Sequence, residues 1–180
     1  MRKKLTFLLI LILNAIALQA QMGKTFPELT GENFHDKKII IPHDTKGKYT
    51  LLALAYSKKA EEDLMTWFNP VYTTFIEKSK PGLFNESYDV NIYFIPMFTG
   101  VNQAAAGTAK KKMKEGIDQK LFPYLLLYKG ELDRYQKELA LDRKDTPYFF
   151  VLNKEGEIIH ASFGPYSEAK MGQIESLLEE

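Results

Sequence analysis

Residues 146–158 read TPYFFVLNKEGEI, and the fold is inferred most directly from this stretch. Pro147 precedes the apolar run Tyr148 to Leu152. The polar residues that follow end in Gly156, which can adopt the positive backbone dihedral of a hairpin turn. A second short run, Glu157 to Ala161, comes directly after it. The pattern predicts a β-hairpin near the end of the chain.

Upstream of this hairpin, apolar runs alternate with helical periodicity. Residues 49–56 (YTLLALAY) are almost continuously apolar, as expected of a strand buried on both faces. From Ala60 apolar residues recur at helical spacing, and Pro70 is expected to kink that helix. The other predicted elements are an extended segment or hairpin over 23–42, a strand from Val90 to Phe98, a helix from Asn102 to Glu115, a strand from Tyr124 to Tyr128, a helix from Glu131 to Leu141 and a last helix capped by Ser167. This order predicts an α/β fold, a three-layer sandwich whose mixed central sheet is flanked by helices.

The first twenty residues have the pattern of a secretory leader. Arg2, Lys3 and Lys4 precede an uncharged, mostly apolar stretch that is short for a membrane span, and Ala20 offers a small residue for cleavage. We therefore expect an exported protein, periplasmic or secreted, with one domain over 21–180. A retained membrane anchor is the alternative, although we expect no stable membrane insertion once the leader is removed.

Composition excludes several classes of function. The chain has no cysteine, which rules out disulfides, thiolate catalysis and cysteine-ligated zinc. Without the three basic residues of the leader, 21 Lys and Arg face 23 Asp and Glu, a net formal charge of −2, so nucleic acid is not an expected partner. No spacing of the three histidines suggests a metal site, and no cofactor motif is present, so neither a metal nor a cofactor is expected.

The proline, strand and glycine turn of residues 146–158 resemble thioredoxin-like proteins, in which a cis-proline precedes this strand. Gly47-Lys48, the apolar strand and the Pro70 helix resemble the alkyl-hydroperoxide-reductase and thiol-specific-antioxidant branch. The resemblance implies a thioredoxin-like fold, a cis Thr146–Pro147 bond close to the helix start, and a peptide contact by strand addition at Thr146. The candidate peptide-binding residues are Thr146, Pro147, Tyr56 and Lys58. The alternative is that Pro147 is a turn proline with a purely structural role, which persists with the fold.

The resemblance fails at the redox motif of the family. Counting forward from the apolar strand places the two cysteine positions at Lys59 and Glu62, and counting back from Pro70 places them at Glu62 and Met65. Both registers lack the thiolate that disulfide exchange requires. The family's redox role is therefore excluded.

A looser likeness covers Tyr128 to Gly164 together with Trp67 and Pro70. It is to cysteine-less thioredoxin-like assembly factors of the mitochondrial ATP synthase, and it implies that such a fold can handle proteins without thiols.

Three functions remain open from the sequence. The first is a redox-inactive domain that binds a protein or peptide, in the manner of a chaperone or assembly factor. The second is a non-thiol enzyme that uses His43, Asp44 or the acidic helix start Glu61 to Asp63 for acid–base chemistry. The third is a structural subunit of an envelope complex. Lys110 to Lys114 are interpreted as the solvated face of a helix.

The leader generates a direct prediction. The protein recovered from cells should begin at Gln21 and be about 2 kDa lighter than the full chain, because a leader peptidase removes the first twenty residues. Amino-terminal sequencing together with intact mass checks this. A membrane-bound protein with its original amino terminus would contradict it.

Overall fold

The computed structural model describes residues 20–77 and 88–178, so the leader prediction for residues 1–19 lies outside the described residues. The strands are β1 (Leu29–Asn33), β2 (Lys38–Ile41), β3 (Tyr49–Ala55), β4 (Val90–Thr99), β5 (Leu126–Gly130), β6 (Tyr148–Leu152) and β7 (Ile158–Phe163). The α-helices are α1 (Lys58–Val71), α2 (Ala106–Gly116), α3 (Asp133–Leu139) and α4 (Glu168–Leu178).

The seven strands form one mixed sheet in the order β2-β1-β5-β4-β3-β6-β7. β3, β4 and β5 are parallel to one another, whereas β6 pairs antiparallel with β3 and β1 pairs antiparallel with β5. The hairpins β1–β2 and β6–β7 form the two edges of the sheet, with β2 and β7 as the edge strands. The predicted mixed sheet is therefore confirmed.

The side chains of the sheet divide between two hydrophobic cores. In β6, Phe149 and Val151 face the core formed with α1, α2 and α4, and Tyr148, Phe150 and Leu152 face the core formed with α3. This alternation is the period-two geometry of a strand buried on both faces. Helices thus cover both faces, which confirms the three-layer sandwich.

Several element boundaries differ from the predictions for identifiable reasons. The first helix begins at Lys58 because Ser57 caps it, and the chain passes into a π-helix at Tyr72–Glu77 shortly after Pro70. The helix predicted from Asn102 begins as a 3-10 helix, Gly100–Ala105. β5 begins later than predicted, since Pro123 and Tyr124 belong to the 3-10 helix Gln119–Tyr124.

The predicted cis bond at Thr146–Pro147 is wrong. Within the described residues the cis peptide bond is Ile41–Pro42. Pro147 is buried directly before β6, and its carbonyl accepts a hydrogen bond of 2.9 Å from Gly164 N. The free energies of the two X–Pro isomers differ by only about 0.5–1 kcal/mol, so local sequence does not determine which one the fold selects.

Gly164 also connects the end of β7 to α1. The Nε1 of the fully buried Trp67 donates to Gly164 O at 3.0 Å, and the Trp67 ring lies 4.1 Å from that of Phe149. Gly164 has φ +101°, where an added Cβ would lie 3.0 Å from Lys170 Nζ. A residue with a side chain is strained in this conformation.

Two substitutions test this connection. Trp67→Phe should lower the free energy of unfolding by about 1–3 kcal/mol, because Gly164 O would be left buried without a donor. Gly164→Ala should lower it by a similar amount, about 1–3 kcal/mol, through backbone strain. Urea denaturation measures both. Val101→Ala, at a side chain that is 94% exposed, is the control, with an expected change below about 0.5 kcal/mol. A control-sized effect of Trp67→Phe would contradict the prediction.

Candidate functional site

The amino end of α1 is fixed directly after the carboxyl end of β3. Ser57 has an extended backbone, and its Oγ accepts a hydrogen bond of 3.1 Å from Ala60 N. Such a cap satisfies one of the free N–H groups of the first turn. The residues at the start of α1 therefore have a well-defined position above the sheet.

Two tyrosines hold the loop before β6 close to this helix start. Tyr56 Oη donates to Leu141 O at 2.6 Å, and Tyr148 Oη accepts from Arg143 N at 2.6 Å. Burial raises the pKa of Tyr148 to about 12 and also raises the pKa of Tyr56, so both hydroxyls stay protonated at neutral pH. Since Leu54 pairs with Tyr148, the antiparallel register continues to place Pro147 beside Ala55, close to α1.

The positions predicted to correspond to the redox motif are solvent-facing. Lys59 and Glu62 are exposed, and Met65 is 55% exposed. Lys59 Nζ lies 2.5 Å from Asp63 Oδ1, and this hydrogen bond raises the pKa of the Lys59 ammonium. Both predicted registers thus fall on the accessible side of α1, and neither provides a nucleophilic thiol.

The predicted peptide-binding residues divide into two groups. Tyr56 and Pro147 are buried, whereas Thr146 is half-buried and Lys58 is exposed. The Pro147 carbonyl is occupied by Gly164 N, so strand addition would depend on Thr146 alone. That pairing stays a prediction. Thr146 lies on the β6 side of β3, away from the β4 side on which an open groove is found.

This groove, called the α1 groove below, consists of two adjoining cavities between α1 and the carboxyl end of β4. The larger has a volume of about 280 Å³ and is lined by Lys58, Glu61, Glu62, Leu64, Met65, Phe68, Phe94, Pro96, Met113 and Leu125. The smaller, about 210 Å³, is lined by Tyr56, Ser57, Lys58, Glu61, Met97, Phe98, Asn102 and Ala105. Lys58 and Glu61 line both, so these two side chains mark the junction of the cavities. The larger cavity is apolar apart from the charged residues at its rim.

Glu61 is the unusual group of the α1 groove. Its side chain is half-buried, and burial raises the pKa of the carboxyl. Within the described residues the carboxylate has no hydrogen-bond donor and no ion-pair partner, although its backbone N–H donates to Ser57 O. The sequence indicated Glu61 only as a first-turn helix charge. It lines one cavity with Pro96 and Met113, which come from distant parts of the chain, and the local sequence pattern carries no signal of this.

The chain is similar in fold to several solved structures. No family model and no curated protein matches the chain. A thiol:disulfide interchange protein DsbE homologue from Chlorobium tepidum matches with a TM-score of 0.57 and 13% identity, covering 87% of this chain and 97% of the other. A protein disulfide isomerase homologue from Bacteroides thetaiotaomicron matches with a TM-score of 0.55 and 17% identity, covering 88% of this chain and 91% of the other. The exposed lipoprotein thioredoxin of Streptococcus pneumoniae matches with a TM-score of 0.54 and 14% identity, covering 86% of this chain and 100% of the other.

This chain has a thioredoxin-like fold. The identities are low, so the similarity concerns the fold and not the chemistry of these proteins. Because the thioredoxin-like chain has no cysteine, it offers no thiol for disulfide exchange. No helix within residues 20–77 and 88–178 is long and apolar enough to cross a membrane.

The His43 and Asp44 pair of the enzyme hypothesis lies elsewhere on the thioredoxin-like fold. His43 Nδ1 is 2.8 Å from Asp44 Oδ1, and the other Asp44 oxygen accepts from Ile40 N at 2.8 Å. The hydrogen bond from Ile40 is the main cause that lowers the Asp44 pKa. Asp44 thus satisfies a backbone donor of edge strand β2, and neither residue lines the cavities of the α1 groove. In the part of the chain that the structure describes, no three His, Asp or Glu side chains are placed to hold a metal.

Two lysines of α2 that were predicted to lie on a solvated helix face form ion pairs instead. Lys110 contacts Glu32 and lies 2.7 Å from Asp36 Oδ1, and Lys114 lies 3.4 Å from Asp36 Oδ2. These two lysines therefore join α2 to the β1–β2 hairpin, and hydrogen bonds from Lys110 lower the pKa of Asp36. A cavity of about 430 Å³ lies beside this ion-pair network.

Proposed function

We propose that this chain is an exported, redox-inactive thioredoxin-like domain that binds a protein or peptide partner in the α1 groove. The observation that carries the proposal is the apolar cavity of about 280 Å³ beside the start of α1, in a chain without any cysteine. Export is supported by the leader pattern of residues 1–20.

The position of the groove supports binding. It lies at the carboxyl end of β4, which is parallel to its neighbours β3 and β5. Ligands of open α/β sheets bind preferentially outside the carboxyl ends of the strands. The groove therefore occupies the part of the fold in which side chains from several elements can converge on a ligand.

The lining of the groove suits an apolar side chain. Leu64, Phe68 and Phe94 form its floor within the core, and Met65 stands exposed at its edge. Methionine is flexible and polarisable, so it adapts to ligands of different shape. Burying an apolar side chain here would contribute roughly 25 cal/mol for each Å² removed from water.

The names of the structural neighbours indicate disulfide chemistry, which this chain cannot perform. What we carry over as a proposal is protein binding without the redox step, in the manner of a chaperone or assembly factor. Two members of the predicted peptide-binding set, Tyr56 and Lys58, line the α1 groove.

The enzyme alternative has one supporting observation. Glu61 and Lys58 both line the two cavities, and Glu61 has a raised pKa, as general acids often do. The remaining walls of the larger cavity are apolar and offer no further polar side chain to bind a reacting group apart from Glu62. Peptide binding therefore agrees better with the lining.

Peptide selection on the purified chain tests the proposed function. Peptides enriched from a random phage-displayed library should lose at least about tenfold in affinity for Met65→Ser, because the substitution removes the methionine from the edge of an apolar contact. Met22→Ser is the matched control: Met22 is 42% exposed, lies outside the α1 groove, and undergoes the same chemical change. The affinity of the selected peptides for this control variant should stay within about twofold of their affinity for the original chain.

Two results would contradict this proposal. One is a selection that enriches no peptide above an unrelated immobilised protein. The other is equal loss of affinity in Met65→Ser and Met22→Ser, which would indicate a nonspecific effect of the substitution.

A further inference from the structure

We infer that the α1 groove selects a segment in which a lysine or arginine accompanies an apolar side chain, with the cation paired to Glu61. This inference rests on the proposed function and specifies the chemistry of the partner. It begins from the half-buried Glu61 carboxylate, which lies at the junction of the two cavities and has no partner within the described residues.

An unpaired carboxylate in this position is incompletely solvated. Burying a polar or charged group costs free energy unless it gains a hydrogen bond or an opposite charge. A lysine ammonium or arginine guanidinium brought by a ligand would supply both, since N–H donors bind carboxylates through short, charge-assisted hydrogen bonds. The groove therefore gains more from a basic ligand than from a neutral one.

The other charges at the rim favour the same sign of ligand. Glu62 adds a second negative charge and Lys58 one positive charge, so the rim of the larger cavity has a net formal charge of −1. Lys59 is already paired with Asp63. Lys58 forms no ion pair with Glu61 in the structure, and its side chain is exposed. Charge complementarity thus indicates a cationic partner.

The arrangement of the cavities determines the spacing within that partner. An apolar side chain would fill the larger cavity, against Leu64 and Phe68, while Glu61 lies at the end of the same cavity. An extended chain advances about 3.3 Å per residue, so the cation should be one or two positions from the apolar residue. The cation can precede or follow the apolar residue in the peptide, since both cavities of the groove are open to solvent.

Matched peptides test this chemistry. Fluorescein-labelled nonapeptides of serine and glycine carry leucine at the centre, and lysine, glutamine or glutamate one or two positions away. Binding is measured by fluorescence anisotropy. The lysine peptides should bind at least about tenfold more tightly than the glutamine peptides, and the glutamate peptides should bind most weakly.

Glu61→Gln should reduce the preference for lysine over glutamine peptides to within about twofold. Glu168→Gln is the matched control, because Glu168 is also a first-turn helix glutamate but lies in α4, away from the groove. It should retain the full preference. Unchanged melting temperatures would show that both variants fold.

The outcomes separate the two claims. If Met65-dependent binding occurs without a preference for lysine, or if Glu61→Gln keeps that preference, the inference about the cation is wrong and the proposed function stands. If no peptide binds the original chain, including those enriched by library selection, the proposed function fails as well.

Discussion

The hydrogen bond from Trp67 Nε1 to Gly164 O is the contact on which the arrangement around α1 depends. Gly164 in turn donates to Pro147 O, so one residue connects the helix, the end of β7 and the entry to β6. Thr66 reinforces the connection, since its Oγ1 accepts from Tyr166 N at 3.0 Å. With one flank of α1 fixed in this way, its opposite flank is left facing β4 and α2, and the α1 groove lies there.

The helix start is built without cysteine and is nevertheless well defined. Ser57 caps α1, and Tyr56 holds the loop that precedes β6. Lys59 and Glu62 face solvent, where they offer charge and no thiol. At this end of the sheet lies an apolar cavity with the half-buried, unpaired carboxylate of Glu61, and the proposed recognition depends on this pair of features.

The sequence predicted much of the fold because its elements have strong local patterns. The hairpin after Pro147 and the strand Tyr49–Ala55 were visible as continuous apolar runs, and α1 was visible from its helical period. The candidate site was less predictable, since its walls come from segments far apart in the chain. Neither the isomer of the Thr146–Pro147 bond nor the pairing of Lys110 with Asp36 is determined by nearby residues, because tertiary contacts decide both.

Amide hydrogen–deuterium exchange, with and without a peptide selected on the chain, tests the location of binding most directly. Our account predicts slower exchange with bound peptide in the first two turns of α1, from Lys58 to Met65, and in residues 94–105, because these segments line the groove. Exchange at β7 should not change. Protection confined to Thr146 and the neighbouring end of β7, with no change in α1 or at the end of β4, would contradict the account and place the binding site on the opposite side of β3.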